Sequence, residues 1–532
     1  MYLLQHYFEQ TAARNPGKDA LVCGNRRWTY GELIDSSRRL ARSLRALGVR
    51  RGDRVAVFLD NEAETVISMI GILMAGGVFV ILNGAMKSRK LGYILNDSGA
   101  AALITKVEKA SVVLDAWAGR ERPSVILWKG ETTKIPSLPD AQSVAWDDAL
   151  CLTGSDSPFP ECIDRDLAAL IYTSGSTGEP KGVMSPHASM IAAARSIIQY
   201  LGNRESDVIL NVLPLSFDYG LYQVIMSLMF GGTVVLEKSF LYIQPILKRI
   251  AEEKVTGFPV VPTVLAMMLS RRDMGKYDFS SLRYVTNTGA ALPVEHIRSL
   301  RALLPHVEIF SMFGLTECKR VCYLPPDQID RRPDSVGKAM PNCEVWIEDE
   351  SGRILGPGEV GELVIRGANV MRGYWNAPEL TARVFRPGRH PGETVLYSGD
   401  QFRMDEEGYL YFVGRGDEMI KCRGERVSPK EIENVLCALP GVREAAVMGI
   451  ADAIEGQAIA VFVVTSGNGN DPVEKEIRRH CMRHLEPFAV PKFFQFMDAL
   501  PKTDNGKVDR KALAHHLCSR PPAAVKPNQQ HP

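Results

Sequence analysis

The chain has 532 residues, and its 63 Lys and Arg residues nearly balance its 62 Asp and Glu residues, which gives a formal charge of +1. A general nucleic-acid binder would need an excess of basic residues, which this chain lacks. An acidic disordered chain would contain few apolar residues, so the composition argues against that class as well. With 45% hydrophobic and 23% charged residues, the chain reads as a globular protein of several units of about 150 residues each.

The N-terminal region and the cysteines give no sign of export or of structural zinc. The first ten residues lack the basic segment and the cleavage site of a signal peptide. The ten cysteines are scattered and form no CxxC pair, so a zinc site is not expected. We therefore expect reduced thiols in a cytoplasmic protein.

The first predicted elements alternate between helix and strand. Residues 30–47 have the spacing of an amphipathic helix, and residues 54–59 read as a strand. Two long apolar stretches, 66–82 and 221–236, share one pattern, in which a helical run meets a Gly-Gly pair and then a β-branched run. Glycine ends a helix and branched residues form buried strands, so the pattern predicts α/β layers. A membrane span would need about 20 apolar residues without such breaks.

Further strands at 101–105, 208–213 and 284–288 continue this alternation. The first 414 residues are therefore predicted to form a large N-terminal domain of α/β class, with mainly parallel sheets covered by helices. From about residue 335 glycine-rich turns separate shorter strands, which predicts a small β-barrel-like subdomain over 335–414.

The pattern of predicted elements changes again after residue 414. Ser428-Pro-Lys-Glu431 has the spacing of a helix capping box, and strands are predicted at 445–450 and 458–464. These elements predict a small α+β C-terminal domain over 418–515. Residues 516–532 are polar and proline-rich and are predicted to be disordered.

The sequence LIYTSGSTGEPKG at 170–182 contains the clearest functional signal. A strand is predicted to end near Tyr172, and a loop with three glycines, four hydroxyl side chains and Lys181 leads to a helix starting near Pro186. Glycines allow backbone amides to face an anion, and a lysine adds positive charge, so the loop suits a polyphosphate. It is not the P-loop pattern GxxxxGK[ST], because Gly182 follows the lysine.

This loop is similar to the phosphate-binding signature of the AMP-forming adenylate ligases, a superfamily of acyl-CoA synthetases, peptide-synthetase adenylation domains and luciferases. Further segments resemble motifs of the same superfamily in the expected order, and the resemblance covers residues 10 to 515. These segments are MFGLTE at 312–317, YSGD at 397–400, GRGD with IKCRG at 414–424, and PKTDNGK at 501–507.

The resemblance implies roles for individual residues. Lys507, Thr316 and Glu317 would be catalytic, and Glu317 would bind Mg²⁺, since a hard cation prefers a carboxylate oxygen. Asp417, within a hinge at 415–417, and Gly424 would serve domain rotation and the thiol tunnel. The residues implied to bind ATP or AMP are Thr173, Ser174, Gly175, Ser176, Thr177, Gly178, Lys181, Gly289, Ala290, Phe313, Asp400 and Arg415.

The resemblance also implies a two-step reaction. A carboxylate attacks the α-phosphate of Mg·ATP to give an acyl-adenylate and pyrophosphate, and a thiol then takes the acyl group and releases AMP. The mobile C-terminal domain rotates between the two steps. The thiol is that of CoA or of a carrier protein's phosphopantetheine, and the sequence leaves this choice open. Only 25 residues follow Lys507, so a carrier is expected to be a separate partner.

The sequence departs from common superfamily patterns at two places. Phe313 occupies the position of the residue that stacks on adenine, which is usually Tyr in the superfamily. Phe217 and Asp218, together with Thr288, are predicted to line the substrate pocket, and Asp218 matches the aspartate that pairs with the substrate ammonium in peptide-synthetase domains. An amino or imino acid such as proline is therefore one candidate substrate. The alternative for Asp218 is a helix cap, and both alternatives remain open.

Two other classes of function were weighed against the ligase. A kinase or nucleotide-driven switch would use the glycine loop, but it would leave the C-terminal motifs without a role, and it would release ADP rather than AMP. A non-catalytic nucleotide-binding module would not need Glu317, Asp400 and Lys507 together. We therefore expect a small-molecule acid as substrate, with no nucleic-acid partner and no membrane span.

Overall fold

The structure is a computed structural model. The residues that it describes are 2–117, 123–138, 140–152, 158–174, 179–271, 273–290, 292–415, 420–422, 425–452, 456–467, 472–485, 489–503 and 506–519.

The strands of the first 340 residues form two large sheets. In chain order they are β1 (Asp19–Cys23), β2 (Arg26–Thr29), β3 (Arg54–Val57), β4 (Val78–Ile81), β5 (Ala100–Lys106), β6 (Val125–Lys129), β7 (Gln142–Ala145), β8 (Leu167–Ser174), β9 (Pro180–Pro186), β10 (Val208–Asn211), β11 (Thr233–Leu236), β12 (Gly257–Val260), β13 (Tyr284–Asn287), β14 (Glu308–Phe313), β15 (Cys322–Tyr323) and β16 (Lys338–Ala339).

Helices connect these strands and pack on both sheets. In chain order they are α1 (Leu4–Arg14), α2 (Tyr30–Ala46), α3 (Ala63–Met74), α4 (Ser88–Ser98), α5 (Ala110–Ala116), α6 (Trp146–Cys151), α7 (His187–Leu201), α8 (Asp218–Phe230), α9 (Ile243–Glu252), α10 (Pro262–Leu269) and α11 (Val294–Leu303). Most contribute apolar residues to one large core, whereas α4 and α5 contribute theirs to a second, smaller core.

The strand pairing is mainly parallel. One sheet has the strand order β16-β15-β14-β13-β12-β10-β11-β1-β2, and the other has the order β7-β6-β5-β3-β4-β8-β9. The antiparallel pairs are β1–β2, β14–β15 and β15–β16 in the first sheet and β8–β9 in the second. The predicted α/β class with mainly parallel, helix-covered sheets is thus confirmed.

The two Gly-Gly stretches form helix–turn–strand units, as predicted. Helix α3 is followed by β4, and α8 is followed by β11. Gly76 (φ +79°) and Gly231 (φ +88°) adopt the left-handed conformation that ends each helix, which a residue with a Cβ adopts only at a cost. No helix within the described part of the chain combines the length and apolarity that crossing a bilayer requires.

A smaller antiparallel sheet follows the two large ones. Its strands pair in the order β17-β18-β20-β19, with β21 on β20, so the described strands form an open sheet rather than the barrel-like ring that was predicted. Leu363 and Phe402 of this sheet belong to the same core as the large sheets. The elements are β17 (Cys343–Glu348), β18 (Val360–Gly367), α12 (Pro378–Val384), β19 (Phe385–Pro387), β20 (Thr394–Met404) and β21 (Leu410–Arg415).

The C-terminal part has its own sheet, with apolar clusters on both faces. Ser428 caps α13 as predicted, because its hydroxyl accepts a hydrogen bond of 3.3 Å from the Glu431 amide. The elements are β22 (Ile420–Cys422), β23 (Glu425–Val427), α13 (Pro429–Cys437), β24 (Val442–Asp452), β25 (Gly456–Thr465), α14 (Glu474–His484), β26 (Phe493–Phe496) and α15 (Arg510–Ser519). Helix α15 extends past residue 515, so 516–519 are helical, and 520–532 lie outside the described residues.

Candidate active site

A cleft of about 1430 Å³ lies where the large sheets, the antiparallel sheet and the C-terminal domain meet. Residues from all the motifs that the sequence analysis singled out line this cleft. They are Thr173, Lys181, Phe217, Asp218, Thr288, Gly289, Ala290, Thr316, Glu317, Asp400, Arg415 and Lys507.

Some predicted site residues are not part of this lining. Phe313 lies behind the cleft wall, where its ring packs edge-on against Phe402 with a centroid distance of 4.8 Å. The neighbouring Gly314 lines the cleft instead. Ser174 ends β8. The predictions for Gly175, Ser176, Thr177, Gly178, Asp417 and Gly424 lie outside the described residues.

The predicted phosphate loop joins two antiparallel strands. Thr173 at the end of β8 is paired with Lys181 at the start of β9, so both side chains stand at the mouth of a hairpin. The sequence predicted a loop running up to a helix near Pro186, and β9 was missed. Its strand conformation depends on pairing with β8 on one side and on a bridge between Val183 and Tyr374 on the other.

Glu317 is held by a residue that the sequence analysis did not single out. The hydroxyl of Tyr374 donates a hydrogen bond of 2.6 Å to Oε1 of Glu317. Burial, together with the nearby carboxylate, raises the pKa of Tyr374, so the phenol keeps its proton. A second contact runs through the backbone, where the Met371 amide donates to the Glu317 carbonyl at 2.8 Å.

The turn that carries Lys507 is docked on the N-terminal domain. The Thr263 hydroxyl donates a hydrogen bond of 2.8 Å to the Gly506 carbonyl. Gly506 has φ +76°, and a Cβ there would lie 3.1 Å from the Phe240 ring, so the fit requires glycine. Within the turn, the Thr503 amide donates to the Lys507 carbonyl at 2.7 Å. This docking directs Lys507 into the cleft.

The Lys507 ammonium lies among groups of both signs. Its Nζ is 5.7 Å from the centre of the Phe217 ring. Burial, and then the positive charge of Arg415, lower the pKa of Lys507, while Asp218, Asp400 and Glu317 oppose that shift. Three carboxylates of the cleft thus act on the ammonium, yet within the described residues no ion pair ties it to one of them. It is available to donate to a substrate oxygen.

Asp400 and Arg415 lie opposite each other on neighbouring strands. They are register partners in the β20–β21 pair, and Arg415 Nε is 3.4 Å from Asp400 Oδ1. Asp400 is buried, whereas Arg415 is half-exposed at the edge of the cleft. A carboxylate in this position can accept hydrogen bonds from hydroxyl groups.

The backbone at Gly289 forms a wall close to Lys507. Gly289 has φ +85°, and a Cβ there would lie 3.4 Å from Lys507 Cε and 3.5 Å from the Phe217 ring. The preceding Thr288 has a buried hydroxyl without a hydrogen-bond partner in the described structure. The positive φ, rather than crowding, explains the glycine at position 289, because a residue with a Cβ adopts that conformation only at a cost.

Asp218 is not a helix cap. Phe217 is the N-cap residue of α8, no side chain caps the helix, and Asp218 is its first helical residue. The carboxylate is buried at 8% exposure and lines the cleft. The capping alternative is therefore wrong, and Asp218 is a buried residue of the cleft lining.

Two buried cations also line the cleft, and no role for them was predicted from the sequence. Lys319 is 4% exposed and Arg320 is 3% exposed, and both line the cleft beside Asp218. Lys319 Nζ donates to the Thr316 carbonyl at 3.0 Å, and burial lowers its pKa to about 8. Their position next to Glu317 in the sequence was the one available signal.

Comparison with known proteins decides the family. The AMP-binding enzyme family matches residues 8–375, and the AMP-binding enzyme C-terminal domain matches residues 431–507. The chain belongs to the AMP-binding enzyme family. The predicted superfamily is thereby confirmed, and so is the predicted class of enzyme, an AMP-forming acid–thiol ligase.

Similar proteins include both free-standing ligases and a peptide synthetase. The chain is 32% identical over 536 residues to a long-chain-fatty-acid–CoA ligase of Escherichia coli O157:H7, covering 95% of this chain and 93% of that one. It is 33% identical over 515 residues to tyrocidine synthase 3 of Brevibacillus parabrevis, where it covers 96% of its own length but only 8% of the relative's. Among solved structures, the anthranilate CoA ligase AuaEII in complex with anthranoyl-AMP matches with a TM-score of 0.89 and 28% identity, over 97% of this chain and 98% of that one.

Proposed function

We propose that this AMP-binding enzyme adenylates a small-molecule carboxylic acid with ATP and then passes the acyl group to a phosphopantetheine thiol, either that of CoA or that of a separate carrier protein. One observation carries the proposal: the Lys507 turn is docked through Thr263, so that its ammonium shares a cleft with Glu317, Lys181 and Asp400. The names of the relatives, a fatty-acid–CoA ligase and an anthranilate CoA ligase, support an acid and CoA as reactants.

ATP would be bound along the length of the cleft. The phosphates would contact Thr173 and Lys181 at the hairpin mouth, with the rest of the glycine loop between them. The ribose hydroxyls would donate hydrogen bonds to Asp400, supported by Arg415. Thr316 would contact the α-phosphate.

The donor set at Glu317 fits a magnesium ion. Oε1 accepts from Tyr374, which orients the carboxylate towards the cleft, and Mg²⁺ commonly binds one or two carboxylates together with substrate phosphates. When bound, the ion would neutralise phosphate charge as the bond to the α-phosphate forms. Glu317 would hold the ion, and Tyr374 would hold Glu317.

Lys507 would supply the charge that the adenylation step needs. Its ammonium would donate hydrogen bonds to an oxygen of the substrate carboxylate and to the α-phosphate as negative charge develops there. For the thiol step, the C-terminal domain would rotate about a hinge at 415–417 and remove Lys507 from the cleft. The domain boundaries that go with this motion are 1–414 and 418–515.

A second candidate function is favoured by Asp218. Its carboxylate is buried in the cleft and has no described hydrogen bond or ion pair, so a substrate ammonium is a suitable partner. In that case the enzyme would activate an amino or imino acid, such as proline, for a separate carrier protein. The similarity to tyrocidine synthase 3 supports this candidate.

An ATP–pyrophosphate exchange assay across amino, aryl and fatty acids tests both candidates. Exchange with at least one acid, with AMP rather than ADP as product, is expected. Proline-dependent exchange that falls in Asp218→Ala would favour the second candidate, whereas exchange with fatty acids alone would reject an ammonium-binding role for Asp218. Absence of exchange with every acid would contradict the proposed function.

A further inference from the structure

Arg320 is a buried cation without a described anionic partner. Its side chain is 3% exposed, and its guanidinium carbon lies 5.1 Å from the centre of the Tyr219 ring. Nε has no hydrogen-bond partner, and no ion pair joins Arg320 to a carboxylate of the described residues. The Tyr200 hydroxyl contacts the guanidinium but carries no charge. An arginine stays charged at every physiological pH, so burying it without an anion is costly unless a ligand supplies one.

The other charged groups of the pocket do not remove this positive charge. Asp218 and Lys319 are both buried and carry opposite charges that attract each other. Glu317 also attracts Lys319 and accepts a hydrogen bond from Tyr374, so within the described residues neither carboxylate is in an ion pair with the Arg320 guanidinium.

Two neutral donors lie in the same pocket and also lack partners. The hydroxyls of Tyr222 and Thr288 are both buried without a hydrogen bond in the described structure. Both side chains line the cleft that contains Arg320 and Lys507. Each hydroxyl can donate a hydrogen bond, so these groups, like the guanidinium, suit a ligand with oxygen acceptors.

We propose that the acid activated by this enzyme carries a second carboxylate, which Arg320 binds while the first carboxylate is activated at Lys507. A guanidinium offers Nε and a terminal nitrogen as a planar fork that matches the two oxygens of a carboxylate. This inference rests on the proposed acid-activating function and names the class of its substrate, a dicarboxylic acid.

A plain alkyl chain would fit this pocket poorly. It would displace water from Arg320, Tyr222 and Thr288 without replacing the hydrogen bonds, and each buried polar group left unpaired lowers affinity. A site that hydrogen-bonds a polar group of its substrate strongly rejects analogues without that group. An apolar pocket discriminates less strongly against a ligand that carries an additional polar group. The enzyme should therefore discriminate against monocarboxylic acids of the same length.

The first experiment compares substrates on the unaltered enzyme and needs no variant. ATP–pyrophosphate exchange is measured with dicarboxylic acids of three to six carbons and with phthalate, and each is compared with its monomethyl ester and with the matched monocarboxylic acid. At least one diacid should exceed both of its analogues in kcat/KM by about 10- to 100-fold, the effect of one charge-assisted pair. Equal or better exchange with the esters and monoacids throughout would overturn the inference.

The second experiment changes the protein. Arg320→Met should lower kcat/KM for the preferred diacid by about 10- to 100-fold, while that for its monomethyl ester stays within a few-fold. Arg195→Met makes the same change at an exposed position on α7 and should leave kcat/KM unchanged for both the diacid and its monomethyl ester. A diacid kcat/KM within twofold of the unaltered enzyme in Arg320→Met would contradict the proposal.

The outcomes separate this inference from the function on which it rests. Exchange with fatty acids, monocarboxylic aryl acids or proline, but not with diacids, would contradict the inference that the substrate carries a second carboxylate. The proposed acid-activating function would still be supported. Exchange with no acid of any class would contradict the proposed function itself.

Discussion

The Tyr374 hydroxyl donates a hydrogen bond of 2.6 Å to Oε1 of Glu317, although the two residues are 57 positions apart in the chain. Tyr374 also bridges to Val183 on β9, the strand that begins with Pro180 and Lys181. One residue therefore connects the proposed metal-binding carboxylate to the strand that carries Lys181, the proposed phosphate-binding lysine. The position of Glu317 relative to the hairpin depends on it.

Tyr374→Phe tests this connection. Loss of a charge-assisted hydrogen bond of about 1.5–3 kcal/mol should loosen Glu317, so more Mg²⁺ should be needed to reach half-maximal pyrophosphate exchange, by about 10-fold or more. Mg²⁺ titration of the exchange rate measures this. Tyr411→Phe is a matched control, because Tyr411 donates to Asp405 at 3.0 Å away from the cleft. An unchanged Mg²⁺ requirement in Tyr374→Phe would show that the tyrosine does not position Glu317.

Lys507→Ala should separate the two half-reactions. Removing one donor aimed at developing charge typically lowers the rate by about 10²–10³-fold, so pyrophosphate exchange should nearly disappear. Thioester formation from supplied acyl-adenylate should stay largely intact, because Lys507 is proposed to leave the cleft in that step. Lys475→Ala, at an exposed position on α14, serves as control. Equal loss of both half-reactions would remove the special role of Lys507 in adenylation.

Thr263→Val tests the docking of the Lys507 turn. The change keeps the side-chain shape but removes the 2.8 Å hydrogen bond to the Gly506 carbonyl, worth about 0.5–1.5 kcal/mol. Adenylation should slow by about 2- to 10-fold, whereas the thioester half-reaction should not slow. Thr233→Val removes a similar bond to the Asp19 carbonyl, far from the turn, and should affect both half-reactions alike. An effect of Thr263→Val on the thioester step alone would argue against this docking during adenylation.

His187 should make stability depend on pH. Its ring is buried, its Nδ1 accepts a hydrogen bond from the Leu4 amide at 3.2 Å, and burial lowers its pKa to about 4. Between pH 6.5 and 4 the unfolded chain binds a proton at this residue that the folded chain does not, so the free energy of unfolding should fall by about 3 kcal/mol as the pH decreases.

His187→Asn keeps a hydrogen-bond acceptor near the Leu4 amide but cannot titrate. Urea unfolding at a series of pH values should show that this variant loses about 3 kcal/mol less stability than the unaltered chain between pH 6.5 and 4. His390→Asn, at an exposed histidine, should follow the unaltered chain. Identical pH profiles for His187→Asn and the unaltered chain would exclude His187 as the source.

Local patterns were enough to predict the α/β layers. The Gly-Gly pairs after α3 and α8 mark the end of each helix, and the branched residues that follow form β4 and β11, because the turn and the burial are both encoded within a few residues. The order of the motifs likewise predicted that Thr173, Lys181, Glu317, Asp400 and Lys507 would lie in one cleft, although Phe313 is not in its lining. For these features the information is local or shared with a known superfamily.

Features that depend on tertiary contact could not be predicted in this way. Strand β9 begins and ends with proline and has few of the usual signs of a strand, and it is extended because β8 and Tyr374 pair with it. The role of Asp218 could not be decided either, since a first-turn residue and an N-cap residue differ by one position in the sequence. The buried state of Arg320 follows from packing that the sequence pattern does not reveal.

The placement of β1 in the nine-stranded sheet has a consequence for biosynthesis. β1 pairs in parallel with β11, and the Thr233 hydroxyl bonds to the Asp19 carbonyl across 214 positions of the chain. At a synthesis rate of about 5–20 residues per second, the nascent β1–β2 hairpin waits roughly 10–40 s for the strand that covers it. During that time Leu21, Val22 and Trp28, all buried in the finished protein, are without their final neighbours. Residues 19–29 are thus a segment of the growing polypeptide whose exposed apolar side chains a chaperone on the ribosome would protect.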